Sequence, residues 1–115
     1  MVKYELKKEY DEGLCGGKGK AIFHRCLEES EFGKNHNLLT IVEIEAGATV
    51  GFHTHHGESE FYYFLEGTGT YDDNGKGEYE IKPGMVTMTY DGEGHALANT
   101  GDTPMKFMAV IIKEL

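Results

Sequence analysis

The chain is short of positive charge. Its 11 lysines and arginines face 20 acids, for a formal net charge of −9 over 115 residues, and Arg25 is the single arginine. A surface of this sign repels phosphate backbones and anionic lipid, so neither nucleic acid nor a membrane is expected as a partner. Any anionic substrate must then be held by a metal, by lysines, by Arg25 or by backbone amides. Cysteine is scarce too. Cys15 and Cys26 cannot build a disulfide framework and read as free thiols. No apolar run reaches membrane-spanning length. The opening MVKYELKKEYDEG has no apolar core of a secretory signal. The cytoplasm is therefore the expected compartment. Convincing helical amphipathicity is also missing, with residues 3–12 the one stretch that offers any.

Turn formers and β formers are abundant. The 16 glycines, 7 tyrosines and 6 phenylalanines favour short strands joined by tight turns. The length suits one domain over residues 1–115. Residues 1–19 are polar and end in the glycine-rich Leu14–Gly19, a lead-in arm with no GK[ST] phosphate-loop ending. Extended segments follow at Lys20–Leu27, Leu38–Ala46, Val50–His55, Glu60–Glu66, Gly67–Tyr71, Gly77–Lys82, Met85–Tyr90, His95–Asn99 and Met105–Ile112. Residues Glu28–Asn37 are polar and turn-rich. Asn74-Gly75 marks a hairpin and Pro83-Gly84 a type II turn. The apolar Met105–Ile112 should lie centrally. This spacing predicts an all-β sandwich, barrel or jelly roll, whose mouth can hold one small ligand.

The chemistry concentrates between His53 and Glu60. Side chains at i and i+2 share a strand face, so His53 and His55 point the same way and His56 points away. A turn over residues 56–59 and a hairpin would bring Glu60 beside the two imidazoles. Two imidazoles and a carboxylate suit Zn, Mn, Fe, Co, Ni or Cu as divalent ions, and the absence of thiolates argues against a structural zinc site. His24 and His36 have no ligand spacing near them and read as ordinary surface histidines.

The stretch from Gly47 to Gly67 resembles the first motif of the cupins, with Gly47, His53, His55, Glu60 and Gly67 at every motif position. Gly84, Gly92, His95 and Asn99 match the second motif, and Tyr90 stands where that motif has proline. The two motifs span residues 47–99, and the departure at Tyr90 touches a turn, not a ligand. The resemblance implies a single-domain cupin, a double-stranded β-helix or jelly-roll barrel with a short N-terminal arm. It implies one divalent transition metal (Mn, Fe, Ni, Co or Zn) on His53, His55, Glu60 and His95, and frequent dimerisation. Such a set leaves coordination positions for water or a chelating substrate, and its histidines must be neutral to bind.

Tyr62 and Phe64 share the face of Glu60. Tyr62 is the candidate for a substrate hydrogen bond, though core packing is the plainer role for both. Glu58 and His56 fall in the expected turn; beyond being solvated, they are candidates for supporting a ligand histidine or for acid/base work near the mouth. Arg25 and Lys20 could reach an anion from the first strand, although a surface cation is the simpler reading. Within the family the chain is similar to small oxalate decarboxylase-like monocupins. The implied function is a metal-dependent enzyme on a small carboxylate or sugar-like compound, with decarboxylase, dioxygenase, isomerase and lyase chemistry all compatible with the ligand set. The alternative is a non-catalytic module that binds or senses a small ligand.

Overall fold

A computed structural model of the chain describes residues 1–33 and 38–114. His36 lies outside the described residues. The strands are β1 (Lys7–Glu12), β2 (Lys20–Leu27), β3 (Leu38–Ile44), β4 (Thr49–Thr54), β5 (Glu58–Glu66), β6 (Gly69–Asp73), β7 (Glu78–Ile81), β8 (Val86–Thr89), β9 (Gly94–Ala98) and β10 (Met105–Lys113). They form a six-stranded sheet in the order β1-β2-β3-β10-β5-β8 and a four-stranded sheet in the order β4-β9-β6-β7. Every pairing is antiparallel. The sheets face each other around one core, the double-stranded β-helix expected of the motifs.

Period-two alternation explains which side chains fill that core. On β3, Thr40, Val42 and Ile44 are buried while Ile41 and Glu43 are half-buried on the other face. On β10, Met105, Phe107 and Ala109 point inward and Lys106, Met108 and Val110 outward. β10 pairs with both β3 and β5, so the most apolar segment is central, as its composition implied. The Asn74-Gly75 hairpin joins β6 to β7 with both residues at positive φ, which is the type I′ geometry whose twist suits a hairpin. Gly84 at φ 92, with the Met85 amide donating to the Lys82 carbonyl, makes the type II turn. Among the described residues, no helix is long and apolar enough to cross a membrane.

Two local expectations change. Residues 3–12 are not a helix, because Lys7–Glu12 pairs as edge strand β1 with β2. The free edge of β2 supplies hydrogen-bond partners that an isolated turn of helix in water lacks. The charged, mostly exposed β1 then blunts the sheet edge. The arm is therefore partly built into the sheet. The second change concerns His53, His55 and Glu60. β4 and β5 do not form a hairpin: they belong to opposite sheets, and β4 pairs instead with β9. Each strand has an inward face to bury, and facing across the core buries both, with Val50 on β4 and Phe64 on β5 at 2 % and 1 % exposure.

Candidate metal centre

Two cross-strand rows build the site. In the four-stranded sheet His53 on β4 lies directly opposite His95 on β9. In the six-stranded sheet Glu60 on β5 lies opposite Thr89 on β8. The rows face each other across the interior, and His55, one residue past β4, closes the group. A bulge aims the first row. Val50 pairs with Leu97 and His53 with His95, so β4 carries one residue more than β9 between those pairs. Unbroken alternation would send Val50 and His53 to opposite faces; the extra residue lets both point inward.

The bulge contains Gly51, and its lack of a side chain is required. A Cβ there would fall 2.2 Å from the Cys15 carbonyl oxygen. A Cβ on Gly17 would fall 2.3 Å from the Thr49 carbonyl oxygen. Two glycines thus let the 3-10 turn Leu14–Gly16 lie flat on β4 beside the histidines. The motif glycines Gly47, Gly67, Gly84 and Gly92 all sit at positive φ and turn the chain between strands. Asn99 is no ligand. Its amide nitrogen donates toward the carbonyls of Ile44, Glu45 and Thr103, and its oxygen accepts from the Gly101 amide, which ties the β3–β4 and β9–β10 connections together. At the departure from the motif, the Tyr90 amide donates to the Glu93 carboxylate at 2.9 Å, a bond proline could not make.

His53, His55, Glu60 and His95 each bring one donor atom into a group spanning no more than 4.8 Å. His95 Nε2 lies 3.1 Å from both His53 Nε2 and His55 Nε2. Glu60 Oε1 lies 3.1 Å from His55 Nε2 and 3.0 Å from His95 Nε2. The other ring nitrogens are all engaged. His53 Nδ1 donates to the Gly51 carbonyl at 2.7 Å, and His55 Nδ1 to the Glu58 carboxylate at 2.7 Å. His95 Nδ1 meets the hydroxyls of Tyr71 and Thr89, each at 2.8 Å. A carbonyl and a carboxylate only accept, so His53 and His55 carry their protons on Nδ1 and turn Nε2 lone pairs to the centre.

Lone pairs so close repel unless a cation lies between them. Two of the nitrogen pairs lie 3.1 Å apart, close to the about 3.0 Å expected of nitrogens that bind one ion at about 2.1 Å and at right angles. Glu60 Oε1, buried and in contact with two imidazoles, accepts no well-directed hydrogen bond. The residues fit one metal ion.

Burial is the main influence on His53 and lowers its basicity, partly offset by the Gly51 carbonyl. Glu60 is the main influence on His55 and raises its basicity, with Glu58 adding to it against the effect of burial. Burial pushes Glu60 up, yet His55 and His95 outweigh it and hold the carboxyl below its ordinary range. Burial, with the charge of Glu60, pushes the Tyr62 phenol well above its ordinary value.

Tyr62 is 4 % exposed, stacks on the His95 ring at 4.9 Å and turns its hydroxyl to 3.4 Å from His95 Nε2. Phe64 packs in the core. Glu58 is not in a turn: it opens β5, and its carboxylate holds His55. His56 is exposed. Arg25 is held by Glu9 at 3.0 Å and lies over the Phe23 ring. The exposed Lys20 gives its amide to Glu45, and His24 faces Glu43 at 3.5 Å. Tyr71 and Thr89 were not singled out from the sequence. The pairing of Thr89 with Glu60 is a register fact that no local pattern carries. Gly51 did carry a signal, since a glycine inside a strand marks a bulge or a close approach.

The chain belongs to the cupin family: residues 40–111 match the Cupin domain model. It is similar to the oxalate-binding protein of Thermotoga maritima, at 39 % identity over 94 % of this chain and 88 % of that one. A crystal structure described as a predicted oxalate decarboxylase from Thermotoga maritima superposes with a TM-score of 0.91, at 38 % identity, over 98 % of this chain and 99 % of that one. The polyketide cyclase RemF of Streptomyces resistomycificus, 20 % identical over 98 % of this chain and 80 % of that one, superposes with a TM-score of 0.76 and shows the fold alone.

Proposed function

We propose that this cupin holds one divalent transition metal ion on His53, His55, Glu60 and His95 and presents it to a small carboxylate. The convergence of three Nε2 atoms and one carboxylate oxygen, behind three engaged Nδ1 atoms, carries this reading. Mn, Fe, Co, Ni and Zn all suit the donors. The bound ion would act as a Lewis acid toward a carboxylate. The oxalate-binding relative supports the ligand class. The roles assigned to this chain's other groups follow from their contacts. Tyr62 offers a hydroxyl to the ligand beside His95, and Glu58 orients His55.

Decarboxylase-like turnover is the enzymatic form of this reading. A binding-only form has one specific support. Tyr62 is held neutral far above the physiological range and donates a hydrogen bond better than a proton, while Glu58 is committed to His55. Incubating the metal-loaded protein with oxalate and other small carboxylates, with His53→Ala as control, separates the two. CO₂ or product release that His53→Ala abolishes supports the enzyme. Metal-dependent binding without turnover supports the binder. If the loaded protein neither bound nor converted any carboxylate, the ligand assignment would fall.

A homodimer is also proposed. On the outward face of the larger sheet, the registers align Leu39, Val110, Phe61 and Met88 in one cross-strand row and Ile41, Met108, Tyr63 and Val86 in the next. A contiguous apolar face of this kind suits a second copy of the chain. Light scattering that gave a monomer mass at micromolar concentration would contradict it. With Cys15 and Cys26 both free, the cytoplasm stays the proposed compartment.

A further inference from the structure

A partly open chamber of about 210 Å³ adjoins the metal-side residues. His53, His55, Glu60 and Tyr62 form one end of it. Leu14, Phe23, Val42, Phe107, Ala109 and Ile111 are among its other walls, and no lysine or arginine among the described residues lines it. Arg25, the one arginine, is paired with Glu9 and stacked on the ring of Phe23, a residue of the chamber wall. The chamber is therefore polar at the donor cluster and apolar everywhere else.

We infer that the site takes an α-oxygenated monocarboxylate with an apolar tail, the oxygens at the donor cluster and the tail in the chamber. This rests on the metal-and-carboxylate reading above and narrows it. Three observations carry it. The first is charge. A divalent ion, the Glu60 carboxylate and one ligand carboxylate sum to zero. A second ligand carboxylate would sit against hydrocarbon with no cation to meet it, which is costly. The second is size. A cavity of about 150 Å³ accommodates benzene, so the chamber holds a tail of roughly three to six carbons beyond a chelating head. The third is shape: beyond the donor end the walls come from β2, β3, β10, Val50 on β4 and the Leu14–Gly16 turn, so the tail would lie between the two sheets, against the core face of the larger one.

The test uses the full chain loaded with Mn²⁺ and calorimetric titration of pyruvate, 2-oxobutanoate, 2-oxopentanoate and 4-methyl-2-oxopentanoate. Kd should fall about fourfold for each methylene that enters the chamber. The decisive comparison is 2-oxopentanedioate, which keeps the head and chain length of 2-oxopentanoate and adds a charge at the far end. It should bind at least about tenfold more weakly, given the cost of an unpaired buried charge. Ala109→Phe, which fills part of the wall, should lose the dependence on tail length. Should that variant not fold, the wild-type series still decides. Affinity that is flat or falls with tail length, or a diacid that binds as well as the monoacid, overturns the inference while leaving the metal-and-carboxylate reading standing. A chain that binds no Mn²⁺ overturns both.

Discussion

Glu58 gives the sharpest perturbation, because its single contact with the site is geometrically defined. Its carboxylate accepts from His55 Nδ1 at 2.7 Å, which fixes the tautomer that turns Nε2 to the centre. Glu58→Gln keeps an acceptor and loses the charge, whereas Glu58→Ala removes both. Partners that orient a ligand histidine typically contribute about tenfold to hundredfold in metal affinity. The Glu58 side chain is 29 % exposed, so water takes up part of a lost acceptor's role. That places Glu58→Gln near about a tenfold loss, or about 1.4 kcal/mol, and Glu58→Ala between that and about a hundredfold. The deficit should also depend on pH. Glu60 first, and Glu58 with it, raise the basicity of His55. In the wild type, acid therefore sets a proton against the metal at this residue sooner than in the variants. The gap should be widest near neutrality and narrow as pH falls. Competition against a chromophoric chelator, read at several pH values, measures it, with Glu80→Gln on exposed β7 as control. If Glu58→Ala kept wild-type metal affinity and an unchanged melting temperature, the account of how His55 is held would be wrong.

Other outcomes follow from contacts elsewhere. Asn99→Ala removes the donor that serves the Ile44, Glu45 and Thr103 carbonyls and should cost about 2–3 kcal/mol, lowering the melting temperature by roughly 10 °C while metal stoichiometry stays at one. Gly51→Ala would place a methyl 2.2 Å from the Cys15 carbonyl oxygen, so it should displace the Leu14–Gly16 turn, visible as faster amide exchange at Gly16 and Gly17. Metal affinity should fall as pH is lowered, since each imidazole must be neutral to bind. His55, its basicity raised by Glu60, takes up a proton before His53, which burial keeps neutral further into acid. Affinity that rose on acidification would contradict the ligand set.

Much of this site could be read from residue order. His53 and His55 at i and i+2, with Glu60 after a short connection, pointed to three of the grouped side chains, and the resemblance to the second cupin motif added His95. Donor chemistry and strand alternation agreed there. The strands from Lys20 to Lys113 were legible for the same reason, because alternation and turn residues are local. What was not legible depends on which strands meet. Nothing within residues 49–66 says that β4 and β5 go to opposite sheets; that depends on β9 and β10, which pair with them from far along the chain. The same holds for the contacts of Tyr71 and Thr89 with His95, and for a chamber whose walls come from five strands and one turn. Glu58 was placed in a turn because His56-Gly57 reads as one. The Glu114 amide, bonded to the Gly57 carbonyl, and the Lys113 pairing with Glu58 extend β5 back to that residue.

His53, His55, Glu60 and His95 should make this chain a one-metal protein. The most direct test is elemental analysis of protein stripped with chelator, reloaded with a single divalent metal and freed of excess, alongside His95→Ala treated identically. One ion per wild-type chain and a melting temperature raised by loading are expected, with neither effect in His95→Ala. A wild-type chain that retains no ion and melts at the same temperature with or without metal would contradict this.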